Sequence, residues 1–278
     1  MAFTSARGPC RRATAQRARF ERLVERGYDA CEIDLGDGFW MDWDFARRLG
    51  EAARQARIRV SIHAPLAAFL GHVESHGRKH QMAVGMLDHT AGLAQACGAA
   101  PVVIHPGFLL GRTREAAIGA VVQQLAELGR RLESKGRLVP VRDRGDGSRA
   151  GSGLSTTSCY LASSSGCGPF PISPTCMRRS DGGFTTVERF AAALESVDRA
   201  LPPDVPFHIH FSDVSYANRN EKAHIPYSQG TLRAEPLAEA LARFTRPATV
   251  ISESPDEASH QAIRAILARP SLQPQTSS

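Results

Sequence analysis

Three short apolar runs in this chain end in histidine: His63 in SIHAP, His105 in VIHPG and His210 in HIHFS. A fourth, ISESP, ends in a carboxylate, Glu253. Neutral imidazoles with a carboxylate are the donor set that Zn²⁺, Mn²⁺ or Fe²⁺ require. One strand-end histidine alone is more often a hydrogen-bonded structural residue. Several that converge on one rim shift the balance toward a metal centre, with Glu253 as the candidate catalytic carboxylate. Proline or glycine follows closely in SIHAP, VIHPG and ISESP, which ends each run sharply and holds the ligand at its lip. Glu221 and His224 lie in NEKAHIPYSQGTL (220–232), read here as a polar loop. They could complete a further metal position, and a plain surface loop accounts for the spacing equally well. His208 is expected to face away from His210, toward flanking helices. His72, His76, His80, His89 and His260 fall on expected loops or helices and are assigned no chemistry.

Those residues need elements to position them. Helical spacing runs over 12–26, with Phe20, Leu23 and Val24 on one side, and over 43–56, 79–98, 113–134, 185–201, 235–244 and 257–269. Between these helices lie apolar, β-branched runs at 29–35, 58–65, 100–107, 137–141, 205–213 and 248–255, expected as strands buried on both faces. Alternation of strand and helix argues for a parallel sheet. Six strands are legible, a seventh is expected before residue 12 and an eighth within 142–179. Eight would close a (β/α)₈ TIM barrel, whose chemistry sits at the C-terminal ends of its strands. An open doubly wound sheet is the alternative. The expected organisation is one TIM-barrel domain over 1–278, irregular at 142–179, with a disordered tail at 270–278.

Composition limits the function classes. The chain has 278 residues, 42% of them apolar, which allows a substantial core. No apolar run approaches the roughly 20 residues that span a bilayer. Six cysteines at irregular spacing make neither a disulfide framework nor a zinc ribbon, so a reducing cytoplasm is the default. The Arg-rich start reads as a first loop and a basic helix rather than a transit peptide. A net charge of +6 suits a polyanionic partner such as nucleic acid, although arginines on helices are usually solvated. There is no phosphate-binding Gly-rich loop with Lys and Ser/Thr, and no G-x-S-x-G elbow.

SIHAP, VVIHPG, HIHFSD, EKAHIP and ISESP occur in the order seen in the endonuclease IV family, the apurinic/apyrimidinic endonucleases among the xylose-isomerase-like barrels. The chain resembles that family from about residue 28 to 268, apart from one interval. The resemblance implies a (β/α)₈ barrel that holds up to three zinc ions and cleaves DNA 5′ to abasic sites, acting as a monomer in the cytoplasm with no membrane partner. Clustered cations suit that chemistry, because they lower the pKa of water and neutralise a phosphodiester. By the same resemblance His63 and His105 would hold one zinc, His210 and Glu253 a second, and Glu221 with His224 the third. At the last pair the chain departs from the family, with two intervening residues where one is usual. Two alternatives stand beside this reading. One is a xylose-isomerase-like sugar isomerase or epimerase that uses a single divalent metal, with a Lys or paired Glu for proton transfer. The other is a non-catalytic remnant that binds DNA through its basic surface. The His63–His105 pair favours the nuclease.

The interval is 142–179, rich in Ser, Gly and Cys. The family pattern places a metal-bridging Glu after the fifth strand and an Asp and a His after the sixth, and none stands there in its motif. Two readings compete: a disordered insertion, or a shifted reading frame. Codons for Arg142 to Gly147, read one base later, permit Gly-Ile-Glu-Ala-Met-Gly. Codons for Pro171 to Arg178, read two bases later, permit Asp-(Phe/Leu)-Ala-His-Leu-His-Ala. A shifted frame would supply all three missing ligands. The polypeptide as printed is expected to be unstable and nearly inactive.

Overall fold

In the computed structural model the described residues are 9–105, 108–136, 141–143, 185–201, 203, 205–217 and 220–268, with the backbone alone for 9–16, 114, 141–143, 200, 216, 217 and 220–222. The strands expected before residue 12 and within 142–179, most of that interval, and the tail from 269 lie outside them; from Pro9 the backbone is already helical. Two compact units divide the chain, Met1–Phe170 and Pro171–Ser278.

The first unit alternates helix and strand. Its elements are α1 (Pro9–Glu25), β1 (Ala30–Asp34), α2 (Trp43–Gln55), β2 (Arg59–His63), α3 (Arg78–Cys97), β3 (Val102–Ile104), α4 (Arg114–Ser134) and β4 (Val141–Asp143). The four strands form one parallel sheet in the order β1-β2-β3-β4. Arg142 and Asp143, the first residues of the irregular interval, pair with Val103 and Ile104 and so extend the strand expected at 137–141. Ile33, Leu35, Ile62, Val102 and Ile104 are buried, together with Phe45, Leu87, Leu93, Leu125 and Leu128 from the helices. Strands covered on both sides favour unbroken apolar runs, and β3 (Val102–Ile104) is one. α2 lies close on α3: a Cβ at Gly50 would stand 2.4 Å from the Cys97 carbonyl oxygen, so only glycine fits. On α1, Phe20 and Leu23 are buried as expected, but Val24 is 40% exposed and lines an open groove between α1 and α2.

The second unit contains α5 (Val187–Ala200), β5 (Phe207–Phe211), β6 (Val214–Ala217), β7 (Asn220–His224), a single 3₁₀ turn (Tyr227–Gln229), α6 (Ala234–Leu241), β8 (Ala248–Ser252) and α7 (Glu257–Leu267). β5 and β8 pair in parallel, and His210 stands opposite Ile251. Phe190, Leu194, Phe207, Ile209, Leu237, Ile251 and Ile263 are buried. The stretch that holds Glu221 and His224, expected as a loop, instead opens as strand β7, antiparallel to β6. Its polar residues hid the pairing in the sequence. No helix among the described residues is long and apolar enough to cross a membrane. The described free cysteines, Cys31 and Cys97, are buried, and burial pushes their thiols up to about 12 and about 11, so both stay protonated and inert.

Candidate metal centre

In the first unit His63 closes β2 and is buried. Its Nδ1 lies 2.9 Å from the Ala64 carbonyl oxygen. A carbonyl only accepts, so the ring proton sits on Nδ1 and the lone pair on Nε2, the form that ligates metals. His105 directly follows β3, and the two rings meet edge to face with centroids 5.0 Å apart. β1 adds carboxylates to this sheet end. Asp34 is in register with His63, and its Oδ1 accepts from the Gly36 amide at 2.6 Å. Burial raises the Asp34 carboxyl above the usual range, against the pull of His63 and the Gly36 amide. Two residues earlier, buried Glu32 accepts from the Ser61 hydroxyl at 2.7 Å.

The loop after β2 is fixed from α4. Gln124 Oε1 accepts from the amides of Gly71 (2.8 Å) and His72 (3.2 Å), and its Nε2 donates back to the His72 carbonyl at 3.0 Å. Arg112 donates to the carbonyls of Gly71 and, at 3.1 Å, Leu109. Phe69 packs edge-on against Phe108, centroids 5.0 Å apart. α4 itself starts at Thr113, whose hydroxyl caps the Ala116 amide.

In the second unit His210 Nδ1 lies 3.1 Å from Glu253 Oε1, both side chains almost fully buried. Glu253 comes directly after β8, and its amide donates to the Phe211 carbonyl at 3.2 Å. Three residues on, Asp256 caps α7 by accepting from the Ser259 amide and hydroxyl, bonds that hold its carboxyl below the usual range. The strand therefore ends, and the helix begins, within a few residues of Glu253. His224 closes β7 with Nδ1 3.0 Å from Ser212 Oγ. That hydroxyl gives its own proton to the Asp213 carbonyl, so it accepts from His224, whose lone pair is again on Nε2. Buried Asp213 ties the turn together. Its Oδ1 accepts from the Val214 amide at 2.9 Å, and Oδ2 from the amides of Thr231 and Leu232 at 2.5 and 2.9 Å. Gly230 is obligatory there, because a Cβ would stand 2.4 Å from Asp213 Oδ2.

Residues 20–140 match the family model described as Xylose isomerase-like TIM barrel. Among solved structures, a D-tagatose 3-epimerase-like protein superposes with a TM-score of 0.69 at 16% identity, covering 89% of this chain and 90% of that one. The endonuclease IV of Thermus thermophilus superposes with a TM-score of 0.64 at 17% identity, covering 96% and 97%. The chain has the fold of a xylose isomerase-like TIM barrel. The uncharacterized protein MJ0133 of Methanocaldococcus jannaschii is 26% identical over 228 residues, 81% of this chain and 82% of that protein. The endonuclease IV resemblance drawn from SIHAP, VVIHPG and ISESP thus has a structural counterpart, and sugar epimerases share the same barrel.

Within this xylose isomerase-like barrel the structure brings His63 to His105, and His210 to Glu253. It places His224 beside Ser212, and the side chain of Glu221 lies outside the described residues. His63, His210 and His224 each commit Nδ1 to an oxygen, and Nε2 is the nitrogen to offer. That tautomer, paired with a buried carboxylate in one unit and a second imidazole in the other, fits a divalent cation. Sequence reasoning missed Glu32 and Asp34, although the E-I-D alternation of β1 puts both on the face that His63 shares. It also put His208 on the wrong face: residues two apart on a strand point the same way, and the His208 and His210 rings stand 5.3 Å apart.

Proposed function

We propose that this chain is a divalent-metal-dependent hydrolase of DNA phosphodiesters, one that cuts beside abasic sites and uses zinc. His63 and His105 are the ligands of one ion, and His210 with Glu253 of another; Glu221 and His224 are the third pair. A bound cation supplies Lewis acidity toward a phosphate oxygen and acidifies water. The chain's own groups do the rest. The Ala64 carbonyl and the Glu253 carboxylate hold the imidazole protons of His63 and His210 on Nδ1. Glu253, its side chain almost fully buried and its backbone anchored next to β8, is the catalytic carboxylate. The net charge of +6 favours a polyanion. The observation that carries this reading is the His63–His105 pair, whose rings stand edge to face at 5.0 Å and offer the two nitrogen donors that suit zinc.

A second reading, a single-metal sugar epimerase, is favoured by Asp34, a half-buried carboxyl raised above its usual range beside His63. One assay separates the two. The purified chain with Zn²⁺ is expected to nick a duplex at an abasic site far more slowly than a chain that carries the missing Glu and Asp-x-x-His, and to spare the undamaged duplex, and His63→Ala and His105→Ala are expected to remove this residual activity. No nicking, with ketose epimerisation in Mn²⁺ instead, transfers the site to the second reading. Sequencing the gene across codons 142–179 tests the shifted frame: bases that cannot encode the Glu and the Asp-x-x-His rule it out.

A further inference from the structure

We propose that His76, His80 and Glu127, away from the strand ends, form a separate site for a borderline divalent cation such as Zn²⁺, and that filling it releases the backbone amide of His76. Each of the three offers one ligand atom, and these atoms all lie within 4.8 Å of one another. Two imidazoles and a carboxylate are a zinc-type donor set. His76 is exposed and stands just before Gly77, the N-cap of α3; His80 is on the first turn of that helix, and Glu127 comes from α4. His80 is only 2% exposed, and its Nε2 is buried with no hydrogen-bond partner among the described residues.

The coupling follows from the ring's proton count. Neutral imidazole has one nitrogen lone pair for an acceptor or ligand role. At rest Nδ1 of His80 uses it to accept from the His76 amide at 2.9 Å. An ion on Nδ1 displaces that amide directly. An ion on Nε2 sends the ring proton to Nδ1, which then no longer accepts. By either route the amide of His76 is released. His76 holds φ at +66°, the left-handed region that is costly for a residue with a Cβ. Release lets that backbone leave the strained conformation, a favourable contribution to loading. Arg78, Lys79 and the N-terminus of α3 oppose a cation here, and Glu127 supplies the compensating negative charge. This is therefore a site of moderate affinity, not a permanent structural zinc.

The test uses the full chain. Zinc stoichiometry is measured by equilibrium dialysis for wild type, His76→Asn and Glu127→Gln; asparagine tolerates the left-handed backbone and removes the imidazole. Each variant is expected to bind one fewer ion than wild type, because the strand-end ligands are untouched. Hydrogen exchange at the His76 amide is expected to quicken about tenfold or more when zinc is added to wild type, and not in either variant. Equal stoichiometry in all three proteins overturns the site. Exchange at His76 that is unchanged while the extra ion is bound overturns the coupling.

Discussion

The two units hold their candidate ligands by different means. In the first, a backbone carbonyl fixes the ring of His63, and the loop beyond is fixed by the neutral amide of Gln124 and by Arg112 on carbonyls. In the second, carboxylates fix His210 (through Glu253) and three amides of the turn (through Asp213), and only His224 rests on a neutral group, the Ser212 hydroxyl. The first pair is all nitrogen, His63 with His105; the second joins nitrogen to oxygen, His210 with Glu253. Orientation at these contacts is therefore set by neutral groups and Arg112 in the first unit, and chiefly by Glu253 and Asp213 in the second. The first is a place for an ion held by neutral donors, and the second brings negative charge to the ion it holds.

The largest expected effects test that division at the ligands themselves. His105→Ala removes half of an all-imidazole pair and is expected to cut zinc affinity by about 100-fold or more, read by chelator competition. Glu253→Gln keeps an oxygen to accept from His210 Nδ1 and removes only the charge. It is expected to cost about 10²–10⁴ in kcat, with little change in the unfolding midpoint. A Glu253→Gln protein that cleaves as well as wild type would show that the charge is unnecessary and would erase the distinction drawn between the units.

Next come the groups that hold the turns. Asp213→Asn leaves one acceptor oxygen where three amides, two of them buried, were served, and a loss of roughly 3–5 kcal/mol in urea unfolding is expected. Gln124→Ala strands the amides of Gly71 and His72 at the less costly neutral level, about 1–3 kcal/mol. If Gln124→Ala proves the more damaging, the carboxylates are not the stronger anchors and the comparison inverts.

How far the sequence foretold these regions depends on what fixes each one. Strand ends punctuated by proline or glycine put His63, His105 and Glu253 in their places, because the period of an apolar run and the residue that stops it are local properties. The sheet order and the His63–His105 contact followed from alternation of strand and helix together with the barrel rule. The β6–β7 ribbon was not legible, since its stability comes from backbone pairing and from Asp213 reaching Thr231 and Leu232, contacts that cross many residues. Asp34 and Glu32 were legible in principle from the alternation of β1. They were passed over because the metal reading was built on strand-end histidines and Glu253, and β1 carries no histidine. His80 as an acceptor for the His76 amide could not be read at all: it requires a left-handed backbone at a histidine, which no local pattern announces.

The smallest effect concerns acid, and it separates the units by pH window. Burial holds His72 and His80 below the ordinary histidine value; their mutual proximity and the charges of Lys79 and Arg112 push His72 the same way, and Glu127 partly opposes the shift at His80. A histidine depressed in the folded state binds its proton more readily when unfolded. Stability from these two is therefore complete above about pH 6.5 and is lost as pH falls from there through their folded values. In the second unit Asp256 is depressed as a carboxylate, so its contribution persists until pH falls through the acid range below about 4. The chain's two tryptophans, Trp40 and Trp43, both lie in the first unit, so their fluorescence reports that unit alone. Urea midpoints followed by tryptophan emission are expected to fall between pH 7 and pH 5. His80→Gln, which keeps an acceptor for the His76 amide but cannot titrate, is expected to flatten that slope. A wild-type midpoint that is level across the same range would mean that these imidazoles ionise in place without strain, and acid would then no longer distinguish the neutral-anchored unit from the carboxylate-anchored one.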